Sequence, residues 1–141
     1  MMMLRPSELY ASKKGQWRTD VKRVTVAVDK IAERHIDGQH IPMMELYDMG
    51  YRIVGMGDRG IDLRARMKEF DVKQKQKVHQ SIAATCKMLE SAAKIIEFIA
   101  ERQDIPMIEF PVFVSNLETN ARIETDALAA LDELKKEVEG G

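Results

Sequence analysis

The stretch "IAERQDIPMIEF", residues Ile99–Phe110, decides the fold because the chain contains it twice. The earlier copy reads "IAERHIDGQHIPMMEL", residues Ile31–Leu46, and has four additional residues between its two halves. The "IAER" half recurs after 68 residues (31 to 99) and the "Q-x-I-P-M-x-E" half after 64 residues (39 to 103). We infer a tandem duplication in which each unit covers the apolar face of the other.

The second unit carries the clearer helical period. From Val78 onward, apolar or small residues recur at alternating steps of four and three, which is the spacing of a heptad seam on one side of a long helix. This spacing predicts a helix from about Lys73 to Arg102. We expect its seam to be an interaction surface, formed by Val78, Ile82, Leu89, Ile96 and Ile99.

The segment "RVTVAV", residues Arg23–Val28, is ambiguous when it is taken alone. Its alternating β-branched residues are typical of a strand. The repeat aligns it with "SAAKII", residues Ser91–Ile96, which lies inside the long helix of the second unit. We therefore predict that the segment is helical.

Prolines mark the start of the second helix in each unit. Pro42 and Pro106 follow a break in the apolar pattern, and proline favours the first turn of a helix while disfavouring helix in the residue before it. In the second unit, this helix is predicted to run from about Pro111 or Val114 to Val138.

Glycines distinguish the second helix of the first unit. Each glycine costs about 1 kcal/mol relative to alanine inside a helix. We predict a short helix at Met43–Met49, an irregular loop as far as Arg59, and a further helix from Ile61 to about Val72. The glycines are Gly50, Gly55, Gly57 and Gly60.

The fold prediction is an all-α, four-helix-bundle-like domain made of two tandem related helical hairpins, with one helix broken by a Gly-rich loop. The chain of 141 residues, 45% hydrophobic, has the size and apolar content of one domain. The domain spans 1–141, with one unit at about 10–72 and the other at about 73–139.

Composition restricts the setting of the protein. The single cysteine, Cys86, cannot form an internal disulfide and does not indicate an oxidising compartment. The opening "MMMLRPSELYASKKG" lacks the apolar core of a signal peptide, and no run of about 18 apolar residues predicts a transmembrane helix. We expect a cytoplasmic protein that does not enter a membrane.

The sharpest motif is "GMGDRG", Gly55–Gly60, which matches the glycine pattern of a dinucleotide-binding turn. The segment that follows is no buried strand ending in an acidic residue, and a short helical chain has no room for the parallel sheet of that fold. We favour a flexible loop between two helix pieces. A loop in which these glycines and Arg59 hold an anion remains an alternative.

A few carboxylates, a histidine and the cysteine are candidates for catalytic groups. Glu45 and Asp48 form an E-x-x-D pair, the kind with which all-helical pyrophosphohydrolases bind magnesium, but the chain lacks a clean second pair. His79 precedes Cys86 by two helical turns, which is too far for it to activate the thiol directly. We predict no catalytic residue, no metal site and no cofactor.

Charge is unevenly distributed although Lys and Arg (22) nearly balance Asp and Glu (23). The near-neutral total argues against a dedicated nucleic-acid coat. Segments 13–23 and 59–77 are basic, however, and together they could form one face that contacts phosphates. The candidates for contact with an anion or a nucleic acid are Lys13, Lys14, Arg18, Arg59, Arg64 and Arg66.

These patterns favour a non-enzymatic helical interaction protein: a small regulator, adaptor or assembly component. The helix predicted at Lys73–Arg102 would be about 45 Å long, so part of its seam is expected to meet another chain, most simply in a homodimer. One alternative is a nucleic-acid-binding regulator that uses segments 13–23 and 59–77. Another is a metal- or phosphate-dependent enzyme that uses Glu45 and Asp48 or the 55–60 loop.

Overall fold

A computed structural model describes residues 6–67 and 70–140 of the chain. Within these residues the chain forms four α-helices and no strand. The prediction of an all-α, four-helix-bundle-like fold is confirmed. Lys68, which belongs to the predicted basic segment 59–77, lies outside the described residues. The helices are α1 (Pro6–Ile36), α2 (Met43–Ala65), α3 (Val72–Arg102) and α4 (Phe110–Gly140).

Consecutive helices run antiparallel, and α3 lies at the centre. The start of α1 meets the end of α2, where the Tyr10 hydroxyl donates a hydrogen bond to the Leu63 carbonyl at 2.8 Å. In the described part of the chain, α3 packs along each of the other three helices, whereas α1 and α4 lie apart. Helices α2 and α4 approach each other only slightly, so the bundle is open on the side between them.

The ambiguous segment Arg23–Val28 lies within α1, as predicted. Val24 and Val28, one helical turn apart, are buried, while Val26 between them is 52% exposed. A strand would also place Val26 on the face of Val24 and Val28, but a helix turns it away. The helical period of the whole chain therefore outweighs the local strand preference.

The heptad seam of α3 forms the core of the chain itself. All five predicted seam residues are buried, because α1, α2 and α4 pack along the same helix. The five seam residues are therefore covered within the chain itself, and contact of the seam with another chain stays a prediction. The 31-residue length of α3 is used inside the molecule, since two of its three neighbours are equally long.

Helix α2 is continuous from Met43 to Ala65 and includes all four glycines. The predicted break before Arg59 is wrong, and so is the extension of the helix to Val72. A Cβ added at Gly57 would lie 2.8 Å from Leu117 Cδ2, and one at Gly60 would lie 2.7 Å from the ring of Trp17. These contacts explain the glycines, because the bare backbone lets neighbouring side chains pack directly against α2.

Helices α1 and α3, which contain the two copies of "IAER" near their C-terminal ends, terminate in the same way. A residue with a left-handed backbone follows each helix: Gly38 (φ 83°) after α1 and Asp104 (φ 55°) after α3. In both places this residue and the next donate backbone hydrogen bonds to carbonyls of the last helical turn, which is the Schellman arrangement. Pro42 then directly precedes α2 as predicted. Helix α4 begins at Phe110, one residue before the predicted start at Pro111, and ends at Gly140, two residues after the predicted end at Val138.

Gln103 joins the two inter-helix connections at this end of the bundle. Its side-chain oxygen accepts a hydrogen bond from the Ile41 amide at 2.9 Å, and its nitrogen donates to the Ile41 carbonyl at 2.8 Å. The side chain of Ile41 is completely buried. The duplicated "Q-x-I-P-M" words thus lie where the first helical hairpin is fastened to the second.

Candidate functional site

The side of the bundle between α2 and α4 contains two adjacent depressions, which we call together the α2–α4 groove. The part lined by Tyr47 and Pro106, which we call the upper part, has a volume of about 410 Å³. The part lined by Ile61 and Asn120, which we call the lower part, has a volume of about 290 Å³. Val54 and Phe113 line both parts. The groove is defined by Tyr51, Val54 and Ile61 on one wall and by Ile108, Phe113 and Leu117 on the other.

Glycines form the base of the groove. A Cβ at Gly50 would lie 3.1 Å from Met107 Cε and 3.2 Å from the ring of Phe110, so these side chains pack directly against the backbone of α2. Leu117 packs in the same way over Gly57 in the lower part. Both glycines are buried, so the base of the groove is closed and its walls are the exposed surface.

Apolar groups on the walls remain uncovered. Tyr51 is 75% exposed and Ile108 is 87% exposed. The Tyr47 hydroxyl donates a hydrogen bond to the Pro106 carbonyl at 2.6 Å and fastens the upper rim, so the two walls hold a fixed separation there. Exposed apolar side chains that border a preformed depression are typical of a binding surface.

The charge of the groove is negative. Asp58 and Glu109 are its charged lining residues, both exposed, and neither Lys nor Arg occurs among the described residues that line it. None of the ion pairs in the described part of the chain involves either carboxylate. Both carboxylates are therefore available to an incoming positive charge.

The predicted anion-binding arginines have partners within the chain. Arg59 pairs with Asp20 at 2.9 Å, Arg64 with Glu124 at 2.9 Å, and Arg66 with Asp62 at 3.2 Å. Their charge is therefore largely offset where they stand, which weakens the basis for a phosphate-binding face in segment 59–77.

The predicted basic residues of the first helix lie on α1. Lys13 and Arg18 are exposed, while Lys14 is half-buried. Partial burial lowers the pKa of Lys14, and the neighbouring positive charge of Arg18 lowers it further. The structure brings Arg59 next to this group, because Arg59 pairs with Asp20 of α1, whereas Arg64 pairs with Glu124 of α4.

The enzyme alternative depends on a loop at residues 55–60 or on the carboxylates of Glu45 and Asp48. The residues Gly55–Gly60 are helical, so they cannot wrap an anion as a loop. The Glu45 carboxylate accepts two hydrogen bonds from the Arg34 guanidinium, at 2.6 and 3.2 Å, and so is engaged with a cation of the chain itself. No cluster of three or more potential metal ligands occurs among residues 6–67 and 70–140.

A buried ionic cluster around Glu124 was not predicted from the sequence. Glu124 is 0% exposed, and its carboxylate accepts a hydrogen bond from Arg64 and contacts the Nδ1 atom of His79. The available signal was its position seven residues after the buried Leu117, on the same side of α4. The cluster joins α2, α3 and α4.

Burial also affects two other titratable groups near Glu124. Desolvation raises the pKa of the Tyr10 hydroxyl, and the Glu124 charge raises it further. Desolvation, followed by the Glu124 charge, raises the pKa of the Cys86 thiol to about 11. Cys86 is therefore protonated at neutral pH and is a core residue rather than a nucleophile.

Comparisons of the chain with protein-family models, with curated proteins and with solved structures give no match. No helix within the described residues is both apolar enough and long enough to traverse a bilayer.

Proposed function

We propose that this protein is a non-enzymatic interaction module that binds a helix of a partner protein in the α2–α4 groove. The observation that supports the proposal is the groove between α2 and α4, whose walls carry apolar side chains that are exposed in the described chain. A helix that lays its apolar side into such a groove is a recurrent mode of protein recognition.

The length of the groove suits a helix. It extends along α2 from Tyr47 to Ile61, and this separation of 14 residues corresponds to about 21 Å, or four helical turns. An amphipathic helix of that length presents apolar residues at i, i+3, i+4 and i+7 to one side. The groove therefore offers enough wall for several successive anchor residues.

The hypotheses of a homodimer, of nucleic-acid binding and of a cytosolic setting differ in how well they fit the contacts within the chain. A homodimer remains a prediction, and the groove or another exposed face offers it a surface more readily than the buried α3 seam does. Nucleic-acid binding retains Lys13 and Arg18 on α1 but not the arginines that are paired within the chain. A cytosolic setting remains part of the proposal, since the single cysteine is a buried free thiol.

Site-specific photo-cross-linking tests the proposal. A photoreactive phenylalanine analogue at Tyr51, on the groove wall, should cross-link a discrete partner in the native cell. The same analogue at Val26, which is 52% exposed on α1, is the matched control and should not. Equal cross-linking from both positions, or from Val26 alone, would contradict the proposed surface.

A further inference from the structure

We propose that the helix bound in the α2–α4 groove is a basic amphipathic helix, with apolar anchors flanked by Lys or Arg residues. This inference rests on the proposed function and adds the chemical class of the partner. It depends on the charge of the groove and on the placement of its two carboxylates.

The groove is electrostatically one-sided. Its lining includes Asp58 and Glu109 and no basic residue. Two other carboxylates of α2 are neutralised inside the chain, because Glu45 pairs with Arg34 and Asp62 pairs with Arg66. Only a positively charged partner offsets the charge of Asp58 and Glu109 when the groove is covered, and an acidic partner would be repelled.

The two carboxylates lie in different parts of the groove. Glu109 lines the upper part, and Asp58 lines the lower part. A docked helix that runs along α2 therefore meets the two carboxylates at different points of its length and needs basic residues on both sides of its apolar anchors.

The apolar anchors lie between these charges. Val54 and Phe113 line both parts of the groove and occupy its middle. A helix with large apolar residues between its two basic positions places them against this pair. The combination favours such a helix over a purely apolar helix, which leaves the carboxylates without partners, and over an acidic helix, which they repel.

The experiment uses the full-length protein and a display library of 18-residue helical peptides. The library has fixed apolar positions at i, i+3, i+4 and i+7, with random residues on both flanks. We expect selected peptides to be enriched in Lys and Arg. Replacing those bases with Gln should weaken binding about 10-fold, measured by fluorescence anisotropy at low salt.

Groove dependence is measured with matched double variants. Tyr51→Ala with Ile108→Ala removes two highly exposed apolar groups of the groove walls and should abolish binding. Val26→Ala with Ile36→Ala removes two exposed apolar groups of α1 and should leave binding unchanged.

Charge dependence is measured in the same way. Asp58→Asn with Glu109→Gln should weaken the basic peptide about 10-fold and leave its Gln counterpart unaffected. Glu133→Gln with Glu137→Gln, which alters two exposed carboxylates near the end of α4, is the control and should not change affinity.

The outcomes separate the inference from the proposed function. Peptides that need the groove walls but show no preference for Lys or Arg overturn the inference and leave the proposed function standing. Failure to obtain any groove-dependent peptide overturns the proposed function and the inference with it. A concentration-dependent dimer that the Tyr51→Ala, Ile108→Ala variant dissociates makes a second copy the occupant and overturns the inference.

Discussion

At the scale of single residues, Gly60 and Trp17 form a close contact between α1 and α2. The indole is fully buried, and its Nε1–H group donates a hydrogen bond to the Met56 carbonyl at 2.7 Å. The ring lies where a Cβ of residue 60 would otherwise be. Helix propensity alone would favour alanine here, so packing against Trp17 decides in favour of glycine.

Two glycine substitutions should therefore act in opposite directions. Gly60→Ala should lower the free energy of unfolding by about 1–2 kcal/mol, because overpacking against Trp17 exceeds the gain in helix propensity. Gly55→Ala, whose added Cβ meets nothing within 4 Å, should raise it by about 1 kcal/mol. Urea unfolding followed by fluorescence of the single tryptophan measures both, and effects of equal sign would contradict this explanation.

Glu124 should be the most sensitive charged residue of the chain. Glu124→Gln should lower the free energy of unfolding by about 3 kcal/mol, because it leaves the half-buried Arg64 and the buried His79 without their shared carboxylate. Glu118→Gln is the control, since Glu118 pairs with Lys94 at an exposed site. That variant should unfold at nearly the wild-type urea concentration.

Cys86 should make stability fall at alkaline pH. Burial raises the pKa of the thiol from 9.0 to about 11, so the folded state holds its proton more tightly than the unfolded state. Its contribution is complete below about pH 9 and is lost as the pH rises towards 11. Urea titrations between pH 8 and 11 should therefore show a steeper decline for the wild type than for Cys86→Ala.

Thiol labelling supplies an independent measurement of the same property. At pH 8 a thiol-reactive reagent should modify Cys86 at least about 100-fold more slowly in the native protein than in urea, because the thiolate is scarce and the side chain is buried. Rapid labelling of the native protein would show that Cys86 is accessible.

At the scale of the helices, the ends of α1 and α3 show how the two copies have diverged. Both ends use a left-handed residue, but only Gly38 adopts that conformation without strain, while Asp104 carries a side chain there. In the first copy, α1 continues two residues beyond "IAER" and ends at Ile36. In the second copy, α3 ends at Arg102, which is the last residue of "IAER". The same termination motif is thus reached at different distances from the duplicated word.

Substitutions at these two positions should have opposite effects. Asp104→Gly should raise the free energy of unfolding by about 0.5 kcal/mol, because it removes the strain of a left-handed backbone. Gly38→Ala should lower it by about 1 kcal/mol for the converse reason. Thermal unfolding followed by circular dichroism compares the two, and a destabilised Asp104→Gly variant would contradict the assignment of strain.

At the scale of the whole molecule, α3 supplies the surface on which the other helices pack. It contacts α1 and α2 of the first hairpin as well as α4. The Gln103 side chain and the cluster of Arg64, Glu124 and His79 add polar contacts between the hairpins at opposite ends of the bundle. Neither hairpin therefore covers its own apolar face.

Separated halves of the chain should depend on each other. Fragments 1–70 and 71–141 should each lack a cooperative unfolding transition, because each exposes the apolar face that the other covers. An equimolar mixture should regain a single transition and buried Trp17 fluorescence. Cooperative unfolding of either fragment as an isolated monomer would contradict the mutual dependence of the two halves.

Local periodicity was sufficient to predict the class of the fold. The steps of four and three in α3 and the duplicated words predicted helices in two hairpins, and the boundaries of α3 were predicted to within one residue. These features depend on neighbours in the sequence, so they can be recognised without coordinates. The ambiguous Arg23–Val28 was assigned correctly because the repeat supplied information from outside the segment.

The tertiary structure alone decided the continuity of α2, the burial of Glu124 and the position of the groove. Each depends on residues that are distant in the chain: Gly57 meets Leu117, Glu124 meets Arg64, and Tyr51 lies across from Ile108. Glycine lowers helix propensity in the sequence, yet it permits the close approach of another helix once that helix is present. The sequence by itself therefore determined which segments are helical, whereas packing determined which of their faces are filled and which remain open.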